Sequence, residues 1–278
     1  MKKRRENIKM GLENKLNRLK TVLGNHKSLA VAFSGGVDSS FLLAVAKEIF
    51  CDRVVAVTAE SIIQPARETS FAKKFASRLK VRHIVFTSKE MAIPEFCANS
   101  KMRCYYCKKS IFENMQSIVS DLKIEKLVHG ANLDDTHDFR PGFQAASEMA
   151  VDAPMIDARL TKSDIRKFSR KMGLETWNRP SGACLASRIP YNTPITARRL
   201  EMIENAENII LDSGFSTCRV RFHDEIARIE VNMADFSKIM NEKIRADIVL
   251  HLKKIGFKFV AIDLDGYVSG SMNRMLTE

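Results

Sequence analysis

Residues 28–50, SLAVAFSGGVDSSFLLAVAKEIF, decide the fold. Residues 28–33 form a short apolar run of the kind found in strands buried on both faces of a sheet. Residues 41–50 are predicted to form a helix. Between them stands Ser34-Gly35-Gly36-Val37-Asp38-Ser39-Ser40. Glycine lets the backbone turn tightly and approach an anion, and the unpaired N–H groups of a helix N-terminus then face that anion. Ser34, Ser39 and Ser40 add hydroxyl donors. Asp38 repels a bare phosphate but makes sense as a ligand to Mg²⁺ bridging phosphate oxygens. Strand, Gly-rich loop and helix in this order predict a pyrophosphate site. The plainer alternative is a glycine turn with Asp38 and Ser39 capping the helix.

The pattern repeats outward. Residues 53–58, 81–87 and 126–132 read as further strands, and 65–80, 108–122 and 161–172 as helices, the last with Thr161 as N-cap ahead of Asp164. A basic helix over 6–24 precedes the first strand. Strands alternating with helices predict an α/β fold: a parallel twisted sheet with helices on both faces, Rossmann-like. Beyond about residue 190 the order changes. A helix at 195–213, adjacent strands at 218–222 and 227–232, a helix at 234–255 and a strand at 258–265 predict a smaller α+β domain. The boundary is expected in the Pro-containing stretch 179–194, giving domains 1–190 and 191–278.

The chain has 278 residues, 45% hydrophobic and 28% charged, a balance that excludes a mainly disordered protein. No apolar run reaches the roughly 18 residues of a membrane span, and the N-terminus lacks the apolar stretch of a secretory signal. A cytoplasmic protein with no membrane association is expected. The net charge of +12 suits polyanions, or a solvated basic face. Six cysteines in such a chain do not read as a disulfide framework. Cys104 and Cys107 form a CxxC pair, which points to metal binding or redox chemistry. Cys97 or His137 could complete a zinc site around it. Cys51 and Cys218 sit in apolar contexts and read as core.

The loop at 34–40 resembles that of the PP-loop ATP pyrophosphatase superfamily, and lacks the GK[ST] ending of a Walker A loop. The resemblance implies ATP cleavage between the α and β phosphates. A substrate oxygen is adenylated, pyrophosphate leaves, and a second nucleophile displaces AMP. Two further segments fit. Thr58 ends the second strand, where adenine-side contacts lie, although strand-end packing explains it equally well. Gly130 in His129-Gly130-Ala131-Asn132-Leu133-Asp134-Asp135 allows close approach of a nucleotide at a strand's carboxyl end, with Asp134 or Asp135 near a metal.

A closer resemblance runs through 177–191, WNRPSGACLASRIPY, with DFRPG at 138–142 and RVRFH at 219–223. These segments look like the LarE-type sulfur transferases, which supply sulfur for the nickel-pincer nucleotide cofactor. The family has two versions. In one, a cysteine gives up its own sulfur and becomes dehydroalanine. In the other, three cysteines hold a [4Fe-4S] cluster. Here Cys184 matches the active-site cysteine, and Cys104 with Cys107 fits the cluster version. Arg219 and Arg221 share one face of a predicted strand. The resemblance implies that they and Arg188 bind the substrate, a pyridinium dicarboxylate mononucleotide; a solvated stripe on an edge strand is the alternative. Glu201, Glu204 and Glu207, at helical spacing, could pair with these arginines. Lys108, Lys109 and Arg103 flank the CxxC. The implied cofactors are ATP, Mg²⁺ and the cluster; the implied partners are a small nucleotide, sulfide or another sulfur donor, and further copies in a homo-oligomer. A tRNA thiolase is the first alternative, though no separate RNA-binding module is apparent. An amidotransferase or ligase would leave the three cysteines without a role, and a non-catalytic nucleotide-binding regulator is the weakest option.

Overall fold

Short apolar runs become strands where both faces are covered, and the helices between them supply the cover. The computed structural model describes residues 2–137, 141–180, 182–268 and 271–276, without the side chains of 2–10, 137, 273, 275 and 276. Asp138, Phe139, Arg140 and Ser181 of the resemblance segments, and the His137 ring, lie outside the described residues. In chain order the first elements are α1 (Lys2–Gly24), β1 (Leu29–Ala32), α2 (Val37–Phe50), β2 (Val54–Glu60), α3 (Ala66–Arg78) and β3 (Arg82–Thr87). Then come α4 (Pro94–Cys97), α5 (Arg103–Asp121), β4 (Lys126–His129), α6 (Pro141–Glu148), α7 (Pro154–Asp157) and α8 (Lys162–Lys171). The C-terminal part holds α9 (Ala197–Asp212), β5 (Cys218–His223), β6 (Ile226–Val231), α10 (Phe236–Ile239), α11 (Glu242–Ile255) and β7 (Phe259–Ile262).

The main chain falls into two units. One comprises the residues up to Ser61, Ala66–Ser88 and Cys104–Gly182; the other comprises Ile62–Pro65, Lys89–Arg103 and the chain from Ala183. The first holds a parallel sheet in the order β3-β2-β1-β4. The chain runs outward from β1 to β3 and then returns to the other side of β1. The strand order therefore reverses between β1 and β4, where open α/β sheets bind ligands at the carboxyl ends. Leu19 and Leu23 of α1 are fully buried, with Leu12 and Leu16 packed beside them, a helical stripe against the core. Phe41 of α2 and Phe168 of α8 stack at 5.8 Å between ring centroids. Thr161 caps α8 in a complete capping box with Asp164.

The second unit holds a three-stranded sheet, β5-β6-β7, antiparallel then parallel. The hairpin turns at Asp224, whose positive φ of 51° an Asp tolerates better than most residues. Helix α9 packs on β5 and against α11. No helix among the described residues is long and apolar enough to cross a membrane.

Four expectations change. Helix α2 begins at Val37 instead of Phe41, because Val37 turns into the core at 3% exposure. Helix α5 begins at Arg103, so the CxxC lies on the helix itself. The helix expected at 234–255 is broken before Asn241, whose side chain accepts from the Ile244 N–H and starts α11. Helices α4, α6 and α7 lie outside the stretches expected to be helical.

Candidate active site

The loop after β1 follows from its residue types. Gly35 has φ +74°, and a Cβ there would meet Ala72 at 3.1 Å, so glycine is required. Gly36 caps α2 from an extended conformation, and no side chain caps this helix end. The first intrahelical bond runs from the Ser40 N–H to the Gly36 carbonyl at 2.9 Å, so the N–H groups of the first turn point outward, as an anion site needs. Ser39 Oγ donates to the Gly36 carbonyl at 3.2 Å, lies 3.1 Å from Ser34 Oγ and accepts from the Ser34 N–H at 3.3 Å. The serines thus shape the loop as well as line it.

Asp38 is the electrostatic centre. Lys162 Nζ, at the start of α8, donates to its Oδ2. Its Oδ1 is buried and has no hydrogen-bond partner, a costly state for a carboxylate oxygen. Burial pushes the Asp38 carboxyl above its usual range; Lys162 opposes this and Asp135 adds to it. Lys162 is the residue that sequence reasoning missed. Its signal was present: a lysine at the first position of a capped helix at the carboxyl edge of a parallel sheet. The turn after β4 fixes it, since Asp134 Oδ2 accepts the Lys162 N–H at 2.8 Å. Asp135 Oδ2 in turn accepts from Asn132 N and Nδ2 at 3.0 and 2.8 Å.

Gly130 lies against the phosphate loop. A Cβ there would stand 2.9 Å from Ser39 N and 3.0 Å from Ser39 Cα, both backbone atoms that cannot give way cheaply. Gly130→Ala is therefore expected to weaken ATP binding about 10- to 100-fold by displacing the loop. Calorimetric titration with a non-hydrolysable ATP analogue checks this; unchanged affinity would place the nucleotide elsewhere. Thr58 is 5% exposed. Its hydroxyl donates to the Phe33 carbonyl at 2.6 Å, so His83 Nε2, at 2.7 Å, must be the donor to it. That engagement is structural. His129 is half-buried between Phe112 and Phe143; desolvation, then Lys108, lower its pKa to about 4, and it stays neutral.

Cys104 is exposed and Cys107 buried, one turn apart on α5. Residues i and i+3 share a helix face, so both thiols can address one soft metal centre. Among the described residues no three His, Cys, Asp or Glu side chains lie close enough together to hold a metal ion. Arg103, beside them in sequence, is buried and stacks 4.4 Å over Tyr191.

The second unit brings together Cys184, Arg188, Arg219 and Arg221. Half-buried Cys184 precedes the turn Leu185–Arg188, and the Leu185 N–H donates to the Ile63 carbonyl at 2.7 Å. Arg188 is 1% exposed and bidentate to Glu207. Burial opposes its charge, but Glu207, helped by Cys184 and Cys218, holds it above its ordinary pKa. Arg221 is bidentate to fully buried Glu230 at 2.9 and 2.7 Å, and also donates to the Ser187 carbonyl and Ser271 Oγ. Arg219 is half-buried, donates to the Cys218 carbonyl at 2.7 Å and lies 5.2 Å over the Tyr267 ring. Burial and the nearby Arg188 push its pKa down.

A family model described as asparagine synthase matches residues 20–101, which hold the phosphate loop and the first three strands. An uncharacterised protein of Synechocystis is 34% identical over 267 residues, covering 96% of this chain and all of that protein. The pyridinium-3,5-bisthiocarboxylic acid mononucleotide synthase of Lactiplantibacillus plantarum is 31% identical over 271 residues, covering 96% of each. An uncharacterised protein of Methanocaldococcus jannaschii is 31% identical over 255 residues, 91% of this chain and 95% of that one. With a phosphate loop at the reversal point of a parallel sheet and full-length similarity of this kind, the chain belongs to the LarE-type ATP-dependent sulfur transferases of the PP-loop superfamily.

Proposed function

We propose that this chain inserts sulfur into a carboxylated pyridinium mononucleotide, the compound class in the name of the L. plantarum relative, during synthesis of the nickel-pincer nucleotide cofactor. The observation that carries this reading is the gathering, in one unit, of a half-buried cysteine and three arginines interlaced with Glu207 and Glu230. A thiol beside cations suits sulfur transfer to an anionic substrate.

The phosphate loop holds ATP through the first-turn N–H groups of α2 and the Ser34 and Ser39 hydroxyls. Mg²⁺ fits Asp38: the unpartnered Oδ1 is a free anionic ligand in a buried place, and Lys162 offsets the remaining charge. Bound there, the ion would supply positive charge to offset that of the departing pyrophosphate. A substrate carboxylate oxygen attacks the α-phosphate, and pyrophosphate leaves. A sulfur nucleophile then attacks the acyl carbon of the adenylate, the bond to the AMP oxygen breaks, and AMP leaves. Cys104, Cys107 and Cys184 would hold a [4Fe-4S] cluster, as the family resemblance implies; the one-turn spacing on α5 supports the first two. Such a group would supply an iron site able to carry the extra sulfide.

Arg219 is assigned to the substrate phosphate as the family resemblance implies; it is half-buried over the Tyr267 ring, in the same unit as Cys184. Arg219→Ala is expected to raise KM for the pyridinium substrate about 10- to 100-fold, the worth of one charged hydrogen bond, with KM for ATP nearly unchanged. Equal effects on both would make Arg219 structural. The reading as a whole is tested by supplying ATP, Mg²⁺, sulfide and the pyridinium dicarboxylate mononucleotide to anaerobically purified protein. Thiocarboxylate, AMP and pyrophosphate are expected; thiolation of added tRNA without thiocarboxylate would overturn it.

A further inference from the structure

The segment bearing Cys184 is held by a buried ion pair outside the phosphate loop. Arg188 and Glu207 are 1% and 5% exposed. Arg188 Nε and Nη2 donate to the two Glu207 oxygens at 2.8 and 2.9 Å. Its Nη1 donates to the carbonyls of Ala183 and Cys184 at 2.7 and 3.0 Å, and to Ser187 Oγ at 3.0 Å. Glu207 is fixed in turn: its Oε1 accepts the Val220 N–H of β5 at 3.1 Å. One run of contacts thus leads from a β-strand, through Glu207 and Arg188, to the carbonyls on both sides of the Cys184 side chain. A buried ion pair is a poor device for stability alone, and apolar side chains of the same volume often serve as well or better. Apolar side chains cannot hold two carbonyls. The planar guanidinium fork can, because it offers donors in several fixed directions at once.

We propose that Arg188, oriented by Glu207, is a positioning residue for sulfur transfer: it fixes the main chain at Ala183–Cys184 and so sets where the Cys184 sulfur is presented. This rests on Cys184 being the sulfur-transfer residue. Outer contacts of this kind hold a reacting group in its productive geometry, and small displacements there cost rate steeply.

The test is the double variant Arg188→Met/Glu207→Gln. It removes the carbonyl donors without stranding a buried charge, and the Gln oxygen still accepts the Val220 N–H. Arg188→Lys is the second variant; it keeps the charge facing Glu207 but replaces the fork by a single ammonium. The readouts are sulfur transferred per AMP released, KM for the pyridinium substrate, and amide hydrogen exchange over 183–188. Sulfur per AMP is expected to fall at least about tenfold in the double variant and less in Arg188→Lys. Exchange over 183–188 should accelerate in both. A merely structural role would lower AMP release and sulfur transfer together and leave their ratio alone. An unchanged ratio in either folded variant, unchanged exchange, or a raised substrate KM at constant ratio overturns the proposal. Cys184→Ala is run alongside. Sulfur transfer by Cys184→Ala would overturn the assignment of Cys184 and this proposal with it. An inactive Cys184→Ala beside normally coupled Arg188 variants would overturn the proposal alone.

Discussion

Asp38→Asn is expected to lower pyrophosphate release about 100- to 1,000-fold, the scale on which a single electrostatic contact to a developing charge acts. The same substitution should leave the thermal midpoint of the nucleotide-free protein equal to or above that of the parent. The two outcomes follow from one observation. Burial holds the Asp38 carboxyl above its ordinary pKa despite Lys162, so the folded chain binds this proton more tightly than the unfolded chain does. The associated stability is fully present below the ordinary carboxylate range and is lost as pH rises through the folded-state pKa. At neutral pH the ionised group is therefore a net cost to the fold, which Asn removes. A residue retained at such a cost is one whose charge serves a ligand. Thermal unfolding with and without Mg·ATP measures both halves: the parent should gain stability with ligand and the variant should not. A variant that turns over normally would remove Asp38 from the ATP site. One that melts well below the parent without ligand would make Asp38 a structural residue.

Legibility of the fold in the sequence followed the range of the interactions involved. Strands β1 and β2 stand out as unbroken apolar runs because both of their faces are covered. The helix cap at Thr161 is visible because its partner, Asp164, is three residues away. The phosphate loop is legible because glycine at 35 and 130 is demanded by local backbone sterics. Contacts between residues far apart in sequence left no periodic trace. Lys162 meets Asp38 across 124 positions; its place at the start of a capped helix marks the lysine but does not name its partner. The arginines of the second unit show both sides of this. The spacing of Arg219 and Arg221 marks them as facing one way, and their chain positions say nothing of the partner. Glu230 lies opposite Arg219 in the strand register yet closes its bidentate pair on the diagonal neighbour, Arg221. Arg188 reads as a ligand-binding residue in the sequence, whereas its donors turn inward to Glu207 and the main chain. The CxxC spacing is plain in the sequence; its place on α5 was missed, and beside that helix start the Asn99 side chain accepts from Arg103 and donates to the distant carbonyls of Pro190 and Thr193.

Replacing Cys104, Cys107 or Cys184 by Ala is expected to abolish sulfur insertion while ATP binding survives. The phosphate loop is built from residues 34–40, with Gly130 and Lys162 beside it, and uses none of these thiols. Each variant should still release pyrophosphate on adenylating its substrate, and each should lose most of the iron and the charge-transfer absorption of anaerobically purified protein. In the cluster version three thiolates hold the group, and losing any one of them removes a third of that hold. Stability should change little at Cys104, which is exposed, and more at buried Cys107, where the thiol also packs as a small apolar group. In the cluster version the sulfur rides on iron, so the intact protein fed with sulfide should turn over repeatedly. The sacrificial version of the chemistry makes the opposite forecast. Cys104 and Cys107 would be dispensable, each chain would act once, and Cys184 would lose the mass of H₂S as its Cβ–Sγ bond breaks and dehydroalanine forms. Mass spectrometry of the protein after a single exposure to ATP and substrate separates the two. Dehydroalanine at position 184, together with full activity of Cys104→Ala, would sink the cluster assignment and leave Cys184 as both carrier and source of the sulfur.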